Sequence, residues 1–241
     1  MTSAPYETHL IVVNADYTEG ESESYAVPLA LLTDEAAQRA RANNAVLAAL
    51  KTPKGEALVV DALDELEASR SIVRAILQRT RTRAGSAELW ATCNIDAESV
   101  APLGDPHALP SADYNATVHF GDKLFLKHFR RIEDGAHPDL EISRFLAVHA
   151  PGLSPRVVGS LELRTGRAAY NTLAMLQEYV PNEGTAWSLT RRELGRFYER
   201  ALSQPHNASP PAVPLRGVLA LAVERLPPEV DEALGAYQEQ A

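Results

Sequence analysis

The chain has 241 residues, of which 45% are hydrophobic and 23% are charged, and its formal net charge is −9. This composition is that of a globular protein, long enough for one large domain or two small ones. The acidic balance argues against nucleic-acid binding, because a surface that binds the phosphate backbone needs a basic field. The single cysteine, Cys93, excludes an intrachain disulfide framework and a thiolate metal site.

The sequence predicts a soluble, cytoplasmic protein that does not bind membranes. The amino-terminal segment MTSAPYETHL has no basic stretch followed by an apolar core. No stretch of the chain approaches the roughly 20 apolar residues that span a bilayer. The lone cysteine agrees with a reducing compartment.

The amino-terminal segment predicts the start of a small α+β unit. Thr8–Ala15 and Tyr25–Leu29 are rich in strand-forming residues and are separated by turn residues, so we expect a hairpin. Thr33 is the expected N-cap of the next helix, since two acidic residues follow it in the first turn. The pattern predicts that this helix continues to about Leu50.

The next segment predicts a strand, a helix and then a boundary. The apolar run Leu58–Val60 suits a strand, and a helix is expected from about Asp64, with apolar residues at helical spacing up to Leu77. Ala101–Ala112 then contains three prolines in twelve residues. Because proline removes a backbone donor and restrains its neighbour, a linker or domain boundary is expected there.

A second hairpin follows the proline-rich segment. Tyr114–Phe120 and Lys123–Arg130 read as strands, and Gly121-Asp122 between them is a strong hairpin signal. Side chains alternate along a strand, so Lys127 lies on a face flanked by phenylalanines. A lysine in such a place is more often a surface or edge residue, and a functional role needs a second observation.

That observation is a carboxylate on the next helix. We expect this helix over Pro138–His149, because proline is favoured in a first helical turn. Glu141 lies in line with Phe145 and Val148 at helical spacing, and we expect this line to face inward. A buried carboxylate needs a partner, and Lys127 is the candidate. Protein-kinase-like folds use such a lysine–glutamate pair to position a lysine on nucleotide phosphates.

Two more strands are expected, Arg156–Arg164 and Ala168–Tyr179, and both are consistent with an antiparallel lobe, for which five strands and one helix are predicted. The second strand runs into the polar segment Gln177–Asn182. In kinase-like folds the segment at this place is the hinge, whose backbone groups bind adenine. On local grounds it is equally well a strand end followed by a turn.

With these parts in order, the chain resembles the maltokinase family. The resemblance is carried by YNATVHFGDKLFLKHFRRIEDGAHPDLEISRFL over residues 114–146 and by TLAMLQEYVPNEGTAWSLTRRELGRFYE over residues 172–199. YAVPLALL and ALVVDAL in the first hundred residues are similar to the family's amino-terminal cap. The implied fold class is α+β. It comprises a cap over residues 1–100, a kinase-like ATP-binding lobe over 113–182 and the start of an incomplete helical lobe over 183–241.

The resemblance implies a nucleotide site and a reaction. Maltokinases phosphorylate maltose with ATP and magnesium to give maltose 1-phosphate, and they are often fused to or partnered with trehalose synthase. Residues carried over by position are the phosphate-contacting Lys127 with its partner Glu141, the loop over the phosphates (Asn115, Ala116 and Thr117) and the adenine hinge (Gln177, Glu178, Tyr179 and Val180). The family's Gln-Ser before the asparagine is replaced here by Asp113-Tyr114.

No catalytic residue and no metal ligand is assigned within this sequence. The family's catalytic aspartate lies in a His-Gly-Asp loop, and none of the seven histidines here begins such a motif. The magnesium ligands are expected in a carboxyl-terminal lobe that is largely missing. Residues 183–241 should therefore be poorly packed or extended, since Trp187, Leu194 and Phe197 would normally be buried against that lobe. Two functions stay open. The chain is the amino-terminal, ATP-binding part of a maltokinase, separated from its other half and inactive alone, or it is a non-catalytic module that binds nucleotide or a partner.

Overall fold

The computed structural model describes residues 7–53, 55–63, 65–109, 115–166, 170–203 and Tyr237. Several sequence-based expectations lie outside these ranges: the helix start at Asp64, the linker residues 110–112, the Asp113-Tyr114 pair and nearly all of the tail after Ser203. The chain forms two compact units, residues 1–180 and residues 181–241.

The described residues form an α+β arrangement of antiparallel sheets and four α-helices, which agrees with the predicted fold class. The strands are β1 (Glu7–Ala15), β2 (Glu23–Leu32), β3 (Val46–Thr52), β4 (Gly55–Asp61), β5 (Arg81–Ala84), β6 (Ala87–Cys93), β7 (Pro106–Leu109), β8 (Asn115–Phe120), β9 (Leu124–Phe129), β10 (Arg131–Ile132), β11 (Val157–Thr165) and β12 (Asn171–Glu178). The helices are α1 (Asp34–Ala42), α2 (Leu66–Leu77), α3 (Pro138–His149) and α4 (Ala186–Ser203), and a short 3₁₀ turn spans Ala97–Val100.

The first sheet has the strand order β1-β2-β4-β3, with β10 also pairing with β2. The predicted amino-terminal hairpin is confirmed: β1 and β2 pair from Glu7 opposite Leu31 to Ala15 opposite Glu23. The core of this sheet consists of small and aliphatic side chains, namely Ala30, Leu32, Ala40, Val60, Ala62 and Ala68.

The predicted length of α1 is wrong. The helix ends at Ala42 instead of Leu50, and the apolar run after it forms β3, which pairs with β4. Asn43 is the C-cap, and Asn44 adopts a positive φ of 55°. Asparagine tolerates this left-handed conformation better than most residues, so the Asn-Asn pair ends the helix.

The second sheet has seven strands in the order β5-β6-β11-β12-β9-β8-β7, two more than expected. The strands β5 and β6 come from the first hundred residues, and β6 pairs with β11 from Gly159 opposite Cys93 to Thr165 opposite Ala87. The proline-rich segment supplies β7, which pairs with β8. Proline is tolerated there because β7 is an edge strand.

The helix α2 packs on one face of the second sheet. Its predicted apolar stripe is confirmed, since Val73, Ile76 and Leu77 are buried in the main core with Phe120 and Leu126. The other face of the sheet carries α3, which packs through Leu140. The helix α3 has the predicted bounds and begins with Pro138.

The chain passes from the second sheet to the first between β9 and β10. The carbonyl oxygen of Arg130 accepts a hydrogen bond of 2.7 Å from the backbone nitrogen of Ala26 in β2. The guanidinium of Arg130 forms an ion pair with Asp61 at the end of β4. These contacts join the two sheets at one point of the chain.

In the unit formed by residues 181–241, the structure describes residues 181–203, which include α4, and Tyr237. Trp187 and Leu194 are 70% and 48% exposed, as expected for poor packing, and Phe197 is half-buried. The segment is nevertheless a regular helix of 18 residues and is not extended. Within the described ranges, no helix combines the length and apolar character needed to cross a lipid bilayer.

Replacing Gly159 with alanine should lower the free energy of unfolding by about 3 kcal/mol. A Cβ at Gly159 would lie 2.1 Å from the Thr92 carbonyl oxygen and 2.6 Å from Cγ2 of Ile76, so the sheet or α2 must shift. Urea denaturation followed by circular dichroism measures the change. The control is Gly195→Ala, where a Cβ meets nothing within 4 Å. Equal stability of Gly159→Ala and the unmodified chain would contradict the close packing.

Candidate functional site

A cleft of about 380 Å³ lies between α3 and the face of the second sheet opposite α2. It opens to solvent and has both apolar and polar walls. Its lining residues come from β8, β9, β12, α3 and the turn after α3: Thr117, Phe125, Lys127, Asp139, Ile142, Ser143, Leu146, Leu153, Ser154, Pro155, Met175 and Gln177.

The register of β9 places Lys127 in this cleft. Leu124 and Leu126 are buried in the core on the α2 side, so the alternation of side chains turns Lys127 to the other face. Lys127 stands opposite Thr117 of β8 and Met175 of β12, and all three line the cleft. The predicted location of Lys127 on the second strand of the hairpin is therefore confirmed.

The carboxylate that pairs with Lys127 is Asp139, so the expected pair with Glu141 is wrong. The ammonium of Lys127 contacts Oδ2 of Asp139 in a short ion pair. The two side chains are 26% and 40% exposed. Glu141 is exposed and is not among the residues that line the cleft.

The reason for the error is the rotation of α3. Two residues along a helix correspond to a rotation of about 200°, so Asp139 and Glu141 cannot share a face. The stripe that faces the cleft follows helical spacing from the first turn: Asp139, Ile142, Ser143 and Leu146. The stripe expected to face inward is exposed instead: Glu141, Phe145 and Val148.

The start of α3 fixes the position of Asp139. His137 is the N-cap, and its Nδ1 accepts a hydrogen bond of 3.2 Å from the backbone nitrogen of Asp139. The backbone nitrogen of His137 donates to Oγ1 of Thr172 at 2.9 Å. Its ring stacks on Phe129 with centroids 3.7 Å apart, and the Lys127 ammonium lies 5.5 Å from the Phe129 centroid. Burial lowers the pKa of His137 below its usual value, which favours the neutral ring that can accept this bond.

Gln177 and two serines form a polar wall of the cleft. The Gln177 side chain is buried and donates through Nε2 to Oγ of Ser143 at 3.4 Å. The hydroxyl of Ser154 lies 3.5 Å from the same oxygen. The amide and hydroxyls therefore provide neutral hydrogen-bonding groups in the same cleft as the charged lysine.

The rest of the expected hinge lies outside the cleft lining: Glu178 is the last residue of β12, and Tyr179 and Val180 follow the strand. The backbone nitrogen of Glu178 donates to the carbonyl oxygen of Arg156 at 2.9 Å, and that of Tyr179 donates to the carbonyl oxygen of Lys123 at 2.8 Å. The Tyr179 ring stacks on His119 at 5.2 Å between centroids, and Val180 is 54% exposed. Two of the backbone donors expected for adenine are thus already bonded within the chain.

The residues expected in a loop over the phosphates are the first residues of β8. Asn115 stands opposite Phe129 and Ala116 stands opposite His128 in the ladder with β9. Ladder pairing over the whole of β8 fixes them in a strand, which corrects the expected loop. Thr117 lines the cleft from this strand, whereas Asn115 and Ala116 do not.

Sequence reasoning found Lys127, Thr117 and Gln177 but missed Asp139, Ser143 and Ser154. A signal for Asp139 was present, because an acidic residue directly after Pro138 belongs to the first helical turn and is close to the preceding strands. Ser154 follows the end of α3, and no local pattern marks it as a lining residue.

The arrangement can hold an anion such as a phosphate group. A partly exposed ammonium, a hydroxyl and a side-chain amide line one volume, and each can donate to phosphate oxygens. The cleft suits a magnesium ion less well than it suits an anion. Asp139 is the one carboxylate among the described lining residues, and the described ranges contain no group of three His, Cys, Asp or Glu side chains able to hold a metal.

No protein-family model matches the sequence. The chain is similar to solved structures of glucosamine kinase. One, in complex with glucosamine, ADP and inorganic phosphate, has 18% identity and a TM-score of 0.43 over 84% of this chain and 42% of that chain. Crystal form B has 17% identity and a TM-score of 0.41 over 82% and 41%, and form A has 16% and 0.40 over 81% and 41%. The chain thus spans about two fifths of their length. Similarity at this level does not establish a shared substrate.

A double-mutant cycle should detect coupling between Lys127 and Asp139. For Lys127→Met and Asp139→Asn, we expect a coupling energy of about 0.5–1 kcal/mol in unfolding experiments, since both groups are partly exposed. The matched cycle of Lys127→Met with Glu141→Gln should give a value close to zero. Coupling to Glu141 but not to Asp139 would contradict the observed pair.

Proposed function

We propose that the cleft binds the phosphates of ATP and that the chain is the nucleotide-binding part of a maltokinase-like sugar kinase. The observation that carries the proposal is the position of Lys127. Its ammonium lies on the wall of an open cleft, where Asp139 on a helix orients it. A lysine held in this manner between a strand and a helix is the part that kinase-like folds apply to phosphate oxygens.

The charge and size of the cleft support this ligand class. Lys127 brings the one cationic side chain of the described lining residues, and a partly exposed lysine keeps donors available for a second anion. The volume of about 380 Å³ falls within the range of small-molecule sites, which is about 300–1,000 Å³. The triphosphate therefore occupies the volume between Thr117, Lys127 and Gln177 in this proposal.

In this proposal the adenine binds at the expected hinge, from Gln177 to Val180. Gln177 lines the cleft, and Glu178, Tyr179 and Val180 follow it directly along the chain. The backbone nitrogens of Glu178 and Tyr179 already donate hydrogen bonds within the chain. Other groups of this segment would therefore bind the base. The role of Glu141 as partner of the phosphate-contacting lysine passes to Asp139.

The transfer of phosphate to maltose is proposed for a larger assembly. Phosphoryl transfer needs an aspartate at the attacking hydroxyl and carboxylate or amide ligands for magnesium. The sequence contains no His-Gly-Asp loop, and the cleft offers one carboxylate that is already paired. We infer that a complementing helical lobe supplies catalysis and the magnesium ligands.

Lys127→Met should weaken ATP or ADP binding by about tenfold or more, because one charge-assisted contact to phosphate is lost and tenfold corresponds to about 1.4 kcal/mol. Isothermal titration calorimetry on the full chain measures the change. Lys123→Met is the matched control, since Lys123 lies in the β8–β9 turn and its ammonium contacts the Ala101 carbonyl. No detectable binding to the unmodified chain, or equal losses in both variants, would contradict the proposed site.

The chain alone should not phosphorylate maltose at a measurable rate. Lys127 can hold a phosphate, but no described carboxylate of the cleft is free to neutralise the transition state through magnesium. A coupled ADP-release assay with maltose tests this, followed by the same assay with an added carboxyl-terminal lobe of a maltokinase. We expect activity in the second assay. Robust turnover by the chain alone would show that its own residues are sufficient for catalysis.

A further inference from the structure

A buried carboxylate at the other end of the second sheet binds three arginines. Glu88 in β6 is 3% exposed. One oxygen accepts hydrogen bonds from Nε of Arg81 and, at 3.1 Å, from Nε of Arg83. The other oxygen accepts from Arg164 at 2.5 Å and from the Tyr170 hydroxyl at 2.9 Å.

The ladder of the sheet brings these arginines together. Glu88 stands directly opposite Arg83 in β5 and Arg164 in β11, and Trp90 stands opposite Arg81. Residues two apart share a face of a strand, so Glu88 and Trp90 project on the same side. Together these side chains form the arginine cluster, which consists of Glu88, Arg81, Arg83, Arg164, Trp90 and Tyr170.

The arginine cluster carries more positive charge than Glu88 can neutralise. Three guanidinium groups face one carboxylate, which leaves a net charge of +2 in a chain whose formal net charge is −9. The hydrogen bond from Arg81, with those from Tyr170 and Arg83, lowers the pKa of Glu88 to about 2. Glu88 therefore stays ionised at neutral pH, and one arginine would have sufficed to pair it.

The guanidinium groups are both oriented and accessible. Arg81 lies over the Trp90 ring at 5.4 Å and Arg164 lies over the Tyr170 ring at 4.7 Å. Their side chains are 51% and 33% exposed, and that of Arg83 is 67% exposed. Because Glu88 engages one edge of each guanidinium, further N–H groups remain toward solvent. Such fixed donors lose little side-chain entropy when an anion binds.

We propose that the arginine cluster is a binding site for a phosphate monoester. A phosphate dianion matches the excess charge of +2, and its oxygens match the planar donor groups of arginine. A polyanion such as a nucleic acid fits poorly, because the acidic chain would repel its extended backbone. The site is independent of the proposed nucleotide cleft, since β11 and β12 separate β6 from β9, which carries Lys127.

The test is calorimetric titration of the full chain at constant ionic strength with inorganic phosphate, glycerol phosphate and acetate. We expect saturable binding of both phosphates and at least tenfold weaker binding of acetate. Arg83→Gln should weaken phosphate binding about tenfold, corresponding to the loss of one charge-assisted contact. The variant keeps Arg81, Arg164 and Tyr170 on Glu88, so we expect it to fold.

Three control variants distinguish this site from the nucleotide cleft and from a nonspecific effect of charge. Lys127→Met removes the ammonium of the cleft, which can itself hold a phosphate, so the saturable phosphate binding that remains in this variant belongs to the arginine cluster. Arg41→Gln removes an exposed arginine of an ordinary ion pair with Glu56 and should have no effect. Arg83→Lys keeps the charge but loses the planar donor group, and should fall between the unmodified chain and Arg83→Gln. Phosphate binding that Arg83→Gln does not change, or that Lys127→Met abolishes, would overturn the proposal.

Discussion

The register of β9 decides which polar groups reach each face of the second sheet. Lys127 and His128 are neighbours, so one faces the cleft and the other faces the interior. His128 is 2% exposed, and burial lowers its pKa to about 4, whereas Lys127 reaches solvent and Asp139. A slip by one residue would exchange them and bury a charge. The contacts of Arg130 with β2 and β4 hold this strand in place.

The cleft depends on how α3 begins as much as on the sheet. His137 and Pro138 define the first turn, and the stacking of His137 on Phe129 ties that turn to β9. Asp139 then faces Lys127 across a short distance. A partly exposed ion pair of this kind contributes modestly to stability, so its main effect is to direct the ammonium.

The parts of the fold that follow from local signals could be predicted. The hairpins, the stripe of α2 and the proline start of α3 depend on residues close in sequence. The run after Asn44 was ambiguous, because a short apolar segment suits helix and strand equally, and pairing with β4 decides. The pairing of β6 with β11 joins residues about seventy positions apart, and no local pattern encodes it.

In the candidate site, too, some residues could be predicted from local patterns and others could not. The alternation of side chains along β9 was enough to place Lys127. Its apolar neighbours Leu124 and Leu126 are buried on one face of the strand, so Lys127 lies on the other. The rotation of α3 about its axis depends on the packing of Leu140 against the sheet. The sequence alone therefore could not show whether Asp139 or Glu141 faces Lys127. Gln177 was found from its place at a strand end, whereas Ser143 and Ser154 meet only after the turn that follows α3.

The two sheets end in edges of different character. The outer strand β5 carries Arg81 and Arg83, and charged side chains on an edge strand hinder pairing with a second molecule. The outer strand β1 of the other sheet exposes Ile11, Val12 and Val13 in succession, each more than two fifths exposed. An uncharged, β-branched edge of this kind is a template for strand addition. Aggregation at high concentration should therefore start at β1 and spare the β5 edge.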